Sequence, residues 1–433
     1  MAIKRAALIS FVLIASFLCA CRFPPLPPGE AADATPFMPQ YKDLEPAATY
    51  VSVTTPSPAP SPSVETVTIG AVGDIMLMTT QIANAKTGEG YDFSRSFSHV
   101  QGLFKSVDIM CANLELPLAG KQAGYTQPRP EAPEPSEDNP LPERPFQTFN
   151  GPDELAANLF GAGMDVLCTA NNHSLDRGSA GLYRTVGVLR EAGVLQTGTY
   201  LSEQDRAQPR IIDVNGMRIG FLAYTSSLNK RDFELSREER GYAVGRLNDF
   251  EVIQEEINMY RKAGAEFIVV FAHWGTEKSH SPDGSQLSLA AALAAAGADA
   301  IIGSHPHVVQ PIQWIEAERG GTRLNVPVVY SLGNFISNMN GFALNCGLYV
   351  QLTISRSERG RPVVTDVGYL PLYCFKQKAG GATVHQALPC YQDMSGYAGA
   401  LNRDTLLEAA KARELVIGVL GRQSARVLDE SGG

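Results

Sequence analysis

The chain of 433 residues has no Cys-x-x-Cys pair, no internal repeat, no excess of basic residues and, past its first twenty residues, no long apolar run. Each absence removes a class of function. Without paired cysteines at that spacing, a thiolate zinc site of the usual kind is not expected. Lys and Arg number 36 against 45 Asp and Glu, a formal charge of −9, which argues against a nucleic-acid binder held by phosphate neutralisation. The Ala-rich stretch Ala290–Ala300 is far too short to cross a bilayer. What is there suffices for a sizeable core. Apolar residues make up 44% and charged residues 19%, which excludes a wholly disordered or fibrous chain. The length suits two or three domain-sized units, or one large domain with appendages.

The N-terminus reads as an export signal. Lys4 and Arg5 precede an apolar run from Ala6 to Ala20, a basic segment followed by a short hydrophobic one. The run ends in Leu18-Cys19-Ala20-Cys21, which resembles the bacterial lipoprotein box. Residues 1–20 are therefore expected to be a lipoprotein signal peptide. Acyl chains on Cys21 would then hold the protein at the extracytoplasmic face of the membrane without a spanning helix. Residues 21–65 are rich in Pro, Ala, Ser and Thr and end near Pro56-Ser57-Pro58-Ala59-Pro60-Ser61-Pro62. Proline lacks an amide hydrogen and opposes helix and ladder pairing, so this segment is expected to be an extended, semi-rigid spacer. A second Pro-rich stretch, Gln127–Pro152, carries five acidic residues between Glu131 and Glu143 and is expected to be a surface excursion or lid. Cys111, Cys168, Cys346, Cys374 and Cys390 remain. Five is an odd number, so at least one thiol is free or pairs between molecules. Cys111 and Cys168 sit near the ends of apolar runs and read as buried structural residues. Cys374 and Cys390 form the candidate disulfide.

Between the spacer and the C-terminus, strands alternate with helices. Strands are expected at Val67–Val72, Val107–Ala112, Asp165–Ala170, Arg218–Thr225, Phe267–Ala272, Ala300–Gly303 and Pro327–Ser331. Helices are expected at Asp153–Gly161, Ser179–Ala192, Asp249–Ala263 and Ser285–Ala296, each ending near a glycine, with a last one at Asp404–Leu420. The alternation predicts an α/β architecture. The residues that follow the strands matter most. Gly73-Asp74 follows the first, Asn113-Leu114-Glu115 the second, and Asn171-Asn172-His173-Ser174-Leu175-Asp176 the third. His273-Trp274-Gly275 follows the fifth and Ser304-His305-Pro306-His307 the sixth. Ligands of α/β sheets bind outside the carboxyl ends of strands. Five strand ends thus bring carboxylates, amides and four of the chain's seven histidines to one edge. That donor set fits a hard-to-borderline divalent metal site.

The motifs Gly73-Asp74-Ile75-Met76-Leu77, Asn113-Leu114-Glu115, Ala170 through Asp176, His273-Trp274-Gly275, Gly303 through His307, and Ser331-Leu332-Gly333-Asn334-Phe335 together resemble the CapA family. These are bacterial capsule or poly-γ-glutamate synthesis proteins, relatives of the calcineurin-like metallophosphatases. The resemblance implies a CapA-like domain over 66–375 with a C-terminal extension over 376–433. It also implies a four-layer α-β-β-α sandwich of the metallophosphatase type, with a strand-end centre holding two divalent metal ions (Mn, Zn or Fe). Carried over residue by residue, Asp74 resembles the first-motif carboxylate and His307 the last ligand of one metal. Asn172, His273 and His305 resemble the ligands of the second, and His173 resembles the proton donor to the leaving group. Two positions depart from the wider superfamily. Met76 stands where a histidine ligand is usual, and the bridging Asp is replaced, with Asn113 and Glu115 as candidates and Glu115 favoured. The first metal site is therefore expected to be poor in ligands, as it is across CapA-like sequences.

Such a centre would lower the pKa of a bridging water and clamp an in-line displacement at phosphorus. His173 would protonate the leaving oxygen. Asp176 either holds an imidazole in its tautomer or caps the helix that starts near Ser179. Asn334 is expected to satisfy backbone near the site, and Gly333 to meet a turn requirement. Three functional classes stay open: a surface-anchored, phosphoesterase-like hydrolase in capsule or poly-γ-glutamate biosynthesis; a non-catalytic accessory factor for export or anchoring of an anionic exopolymer; and a binding protein with a structural metal. The expected partners are the membrane, through the lipid on Cys21, and a cell-envelope polymer or its synthesis machinery, but no nucleic acid. With a net charge of −9, contact with an anionic polymer must be local, through the metals or a patch including Arg177 and Lys278.

Overall fold

The computed structural model describes residues 50–52, 65–128, 136, 146–357, 360–379, 381–421 and 425–428, all within one unit, Gln40–Gly433. The strands run β1 (Tyr50–Ser52), β2 (Thr66–Ile75), β3 (Ile109–Leu114), β4 (Val166–Cys168), β5 (Leu195–Thr197), β6 (Ile211–Val214), β7 (Met217–Thr225), β8 (Phe267–His273), β9 (Ala300–Ser304), β10 (Ile312–Arg319), β11 (Thr322–Val329), β12 (Asn334–Ile336), β13 (Cys346–Arg356), β14 (Pro362–Ala379), β15 (Ala382–Pro389) and β16 (Arg426–Val427). The helices are α1 (Thr79–Ala85), α2 (Gln101–Phe104), α3 (Glu154–Ala162), α4 (Gly178–Glu191), α5 (Glu203–Arg206), α6 (Glu239–Tyr242), α7 (Phe250–Lys262), α8 (Gly284–Ala296) and α9 (Arg403–Leu420). The expected α/β character holds. Local chemistry sets several boundaries: Asp283 and Gln286 form a reciprocal cap at the start of α8, Asn402 accepts from Thr405 N at the start of α9, and Gly163 ends α3 in a left-handed conformation.

The strands form two sheets, ordered β1-β6-β7-β8-β9-β11-β10 and β15-β14-β13-β2-β3-β4-β5, with β12 on β2 and β16 on β14. The middles are parallel: β7, β8, β9 and β11 in one sheet, and β2, β3, β4 and β5 in the other. One apolar cluster draws on both, joining Val67, Ile69 and Ala71 of β2 to Phe221 of β7, Val269 of β8 and Ile302 of β9. A second packs Val72 and Ile75 with Phe97, Phe104, Leu155 and Leu159. A third packs Leu222, Val270 and Ile301 with Ile253, Ile257 and Tyr260 of α7 and Leu293 of α8. Strands buried on both sides read as continuous apolar runs, which is why the middle strands were legible.

Where these parallel strands begin, one device recurs. Asp108, Asp165, Glu266 and Asp299 stand immediately before β3, β4, β8 and β9. Each donates its own N–H to a residue of the preceding strand, at 2.8 to 3.1 Å. Each also accepts that residue's N–H on its carboxylate: Thr68 to Asp108 at 2.7 Å, Met110 to Asp165 at 2.8 Å, Arg218 to Glu266 at 3.2 Å and Ile268 to Asp299 at 2.8 Å. The carboxylates close ladder ends that would otherwise leave strand donors without a partner in the chain.

Three expectations need correction. Within the proposed spacer, Tyr50–Ser52 pairs in parallel with Ile211–Asp213; the stretch between Pro46 and Pro56 has amide hydrogens and β-branched residues, so the bar on ladder pairing does not reach it. The boundary at 375/376 falls inside β14, and Leu388, Cys390, Ala409, Ala412 and Val416 belong to the cluster shared by the two sheets. Third, all five cysteines from Cys111 to Cys390 are free and buried. Cys374 lies in the cluster beneath Phe97 and Phe104, whereas Cys390 lies in the one between the sheets, so the two thiols occupy opposite faces. The signal peptide, Cys21 and most of Gln127–Pro152 lie outside the described residues. Among those described, no helix is long and apolar enough to cross a membrane.

Candidate metal centre

Both sheets deliver side chains to the carboxyl ends of their parallel strands. The β2 end is shaped by a close backbone passage: Asp74 N donates to Gly333 O at 3.0 Å, and a Cβ on Gly73 would lie 1.8 Å from that oxygen. Only glycine permits the approach, and Gly333 itself has φ +66°, the turn requirement expected of it. After β9 the chain turns so sharply that His305 and His307 take φ values of +96° and +60°. Such backbone is strained for non-glycine residues and persists where surrounding contacts impose it.

Two triads of ligand-capable atoms result. Glu115, His273 and His305 form one, and Asp74, Glu115 and His307 the other, the atoms of each lying within 4.8 Å of one another. Glu115 belongs to both. Its Oε1 lies 3.5 Å from His273 Nε2 and 3.9 Å from His307 Nε2, and it is buried without a hydrogen-bond partner. The Asn172 Oδ1 lies 3.0 Å from His273 Nε2, and His305 Nδ1 lies 3.1 Å from the same nitrogen. His307 Nδ1 lies 3.2 Å from Asp74 Oδ2. Every ligand carried over by resemblance, Asp74, Glu115, Asn172, His273, His305 and His307, therefore meets at one place.

The surrounding side chains aim these groups. Asn113 donates to Asp74 Oδ1 at 2.8 Å and accepts from Asn171 Nδ2 at 3.2 Å, so it orients the Asp74 carboxylate; of the two candidates for the bridge, Glu115 is the one common to both triads. Ser304 Oγ holds His273 Nδ1 at 2.8 Å, and Asn334 Oδ1 holds His307 Nδ1 at 3.0 Å while its amide donates to Leu344 O. Such partners fix ring orientation and tautomer. Sequence reasoning assigned Ser304 and Asn171 no role. Their positions inside the motifs were the available signal. Met76 is buried in the apolar cluster with Phe97 and Phe104, so it supplies no ligand to the Asp74 side.

The electrostatics separate the two triads. Burial, then the neighbouring Asp74 carboxylate, pushes Glu115 well above the usual carboxylate range. Burial, then the other imidazoles, pulls His273 far below its ordinary value, and His305 down to about 4. These rings are neutral and present lone pairs, as ligation requires. His307 differs: burial lowers it, but the Asp74 hydrogen bond and charge outweigh that and raise it. A buried carboxylate oxygen without a partner, flanked by neutral imidazoles and an amide oxygen, is a donor set that divalent cations complete.

Beside the triads, His173 Nδ1 lies 2.7 Å from Asp176 Oδ2, which also accepts Phe149 N at 2.6 Å. The Phe149 ring stands edge-on to the imidazole. Asp176 therefore holds His173; α4 begins after Arg177 with no side-chain cap, so the capping alternative falls. Arg177 donates to the carbonyls of Ala123, Gly124 and Asp176, neutral acceptors that fix its position without cancelling its charge.

Comparison with known proteins gives one consistent result. Residues 68–339 match the family described as "Bacterial capsule synthesis protein PGA_cap", a span containing every candidate ligand from Asp74 to His307. The "PGA biosynthesis protein CapA" of Bacillus subtilis (strain 168) is 30% identical over 298 residues, covering 68% of this chain and 70% of that protein. The "Capsule biosynthesis protein CapA" of Bacillus anthracis is 28% identical over 275 residues, 63% of this chain and 60% of that one. A "Probable polyglutamine synthesis accessory protein" of Mycobacterium tuberculosis is 26% identical over 182 residues, 41% and 46% of the two chains.

Proposed function

The chain belongs to the bacterial capsule synthesis protein family, and from that premise we propose that it is a metal-dependent hydrolase of phosphoesterase-like chemistry acting in capsule or poly-γ-glutamate biosynthesis. The observation that carries the proposal is Glu115, a ligand-capable group of both triads whose Oε1 has no other partner. The two sheets with a common apolar cluster, each also packed under helices, are read as the α-β-β-α sandwich of the metallophosphatases. Asp74, Glu115 and His307 would hold one cation, and Glu115, His273, His305 and Asn172 the other. Two divalent cations, when bound, supply Lewis acidity and lower the pKa of water at the centre. The protein's own part is to orient and to move a proton. Asp176 accepts the Nδ1 proton of His173 and stabilises the imidazolium, leaving Nε2–H as the proton to deliver to a leaving oxygen. Phe149 covers one side of that ring and limits its access to water.

Metal analysis of the purified chain, followed by hydrolysis assays on phosphodiesters and γ-glutamyl oligomers with and without Mn²⁺ or Zn²⁺, tests this reading. Metal-dependent turnover of either substrate supports it. The Asn172–His273–His305 side should bind more tightly, because Met76 adds no nitrogen to the other. A competing reading, an accessory factor without turnover, is favoured by the printed name of the Mycobacterium relative and predicts bound metal with no hydrolysis of any substrate. We further propose that Cys21 is lipidated, placing the domain at the outer membrane face beside the envelope polymer or its synthesis machinery. Cys21→Ser should then move the chain out of the membrane fraction, and unchanged fractionation would refute it.

A further inference from the structure

At the other end of β8 and β9 from the imidazole ligands, roughly 20 Å away by strand rise, three arginines converge on one buried carboxylate. Arg261 and Arg319 bond Asp299 from α7 and β10, and Arg361 Nη2 reaches Asp299 Oδ1 at 3.0 Å from just before β14. Asp299 also accepts Ile268 N at 2.8 Å, so its oxygens are fully occupied. The three guanidiniums line a cavity of about 540 Å³ with Asn258, Glu266 and Gly360. Among the described residues its one lining carboxylate, Glu266, is already taken by Arg356 at 2.9 Å and by Arg218 N. The hollow thus carries more guanidiniums than carboxylates in a chain whose net charge is −9.

The arginines are not equally committed. Arg319 also donates to the carbonyls of Ala294 and Ala298, and Arg261 to those of Ala265 and Gly297. Arg361, with 35% of its side chain exposed, bonds only Asp299 through its side chain among the described residues, so most of its five N–H donors have no partner among them. It also lines an adjoining hollow with the exposed Arg323. Burial, then the neighbouring Arg361 and Arg261, pulls Arg319 below its ordinary value against the pull of Asp299; a further anion would relieve that crowding.

We propose that this hollow is a second binding site, an arginine seat for carboxylates of an anionic polycarboxylate chain, separate from the metal centre. A guanidinium fork matches a carboxylate bidentately, and the adjoining hollows on either side of Arg361 would take successive carboxylates of one chain. The choice of polymer rests on the capsule reading above; the anion chemistry does not depend on hydrolysis.

The test is fluorescence anisotropy of labelled poly-γ-glutamate oligomers with the full chain at two salt concentrations. Binding should weaken with salt. Arg361→Glu should lower affinity at least tenfold and Arg361→Gln about threefold, while Arg426→Gln, at an exposed arginine of β16 paired with Asp366, stays within twofold. Arg361→Gln leaves Asp299 its bonds to Arg261, Arg319 and Ile268, and so guards against a folding artefact. No binding by the unaltered chain, binding by both Arg361 variants equal to that of the unaltered chain, or an equal loss in Arg426→Gln would overturn the site. Displacement by inorganic phosphate at matched charge, or Arg361-dependent binding to phosphatidylglycerol vesicles in place of the polymer, would overturn the polycarboxylate assignment. Arg361-dependent binding without any turnover would sink the hydrolase reading alone, and turnover without Arg361-dependent binding would sink this one alone.

Discussion

The same parallel strands carry carboxylates at both ends, and the two ends use them in opposite ways. At the starts, Asp108, Asp165, Glu266 and Asp299 each satisfy a backbone donor of the neighbouring strand, and Asp299 adds three arginines. At the finishes, Asp74 and Glu115 are buried among imidazoles and amides, and Glu115 Oε1 accepts no hydrogen bond. A carboxylate paired within the chain is part of the fold. One buried and unpaired is a cost to the fold that a cation can offset. Residue type therefore does not separate the acids of the two edges; Glu115 stands apart by an oxygen without a hydrogen bond, whereas Asp74 is hydrogen-bonded by Asn113 and His307.

The largest effect belongs to the finishing edge. His173→Ala should lower turnover by about two to four orders of magnitude, the range of lost acid–base catalysis, and leave metal content unchanged. A nitrophenolate ester, whose leaving group barely needs a proton, should recover part of the loss. Metal loss in this variant, measured by elemental analysis, would show that His173 is a ligand instead.

Next come two matched changes at the two edges. Asp299→Asn should destabilise the fold by about 2–4 kcal/mol, because it leaves three partly buried guanidiniums without their counter-charge. Glu115→Gln should do the reverse in metal-free protein, raising stability by about 2–3 kcal/mol by removing an unpaired buried carboxylate, while abolishing stabilisation by added Mn²⁺ or Zn²⁺. Urea midpoints with and without chelator check both, and the same sign for both would break the contrast between the edges.

The smallest effect qualifies the starting edge. Burial pushes Asp165 up to about 6, against the Met110 hydrogen bond that lowers it. The folded chain thus holds this proton more tightly than the unfolded one. Its contribution to stability is complete below pH 4 and is lost as pH rises towards 6. Asp165→Asn keeps an acceptor for Met110 N–H, so its stability relative to the unaltered chain should improve by about 1–2 kcal/mol between pH 4 and pH 7. A constant difference across that range would mean that the carboxylate is already ionised at pH 4.

Much of this was legible in one dimension. The apolar runs that became β2, β3, β7, β8 and β9 could be read because strands buried on both faces are continuously apolar, and α3, α4, α7, α8 and α9 because longer helical stretches end near glycines or follow capping residues. The six candidate ligands could be named because the motifs that follow the strand ends resemble those of the CapA family. The short strands β5 and β6 and the pairing of Tyr50–Ser52 could not, since three or four residues carry little periodicity and their pairing is decided by distant partners. The acids before β3, β4, β8 and β9 were visible as residues but not as a device, because each acts on a strand far away in the chain. Cys374 and Cys390 were misjudged for a related reason: spacing says nothing about which face of a sheet a thiol occupies.

Sequence by itself determined the donor inventory, the order of the motifs and the alternation that made the architecture α/β, since these follow from side-chain chemistry and local periodicity. Tertiary structure alone decided which donors share a cation and which satisfy the backbone. Glu115 lies 158 residues before His273 in the chain yet 3.5 Å from it in space, and Arg361 meets Asp299 across 62 residues. Those distances are set by how the two sheets and their helices pack, a global balance of buried area and hydrogen bonding that no local stretch of sequence contains.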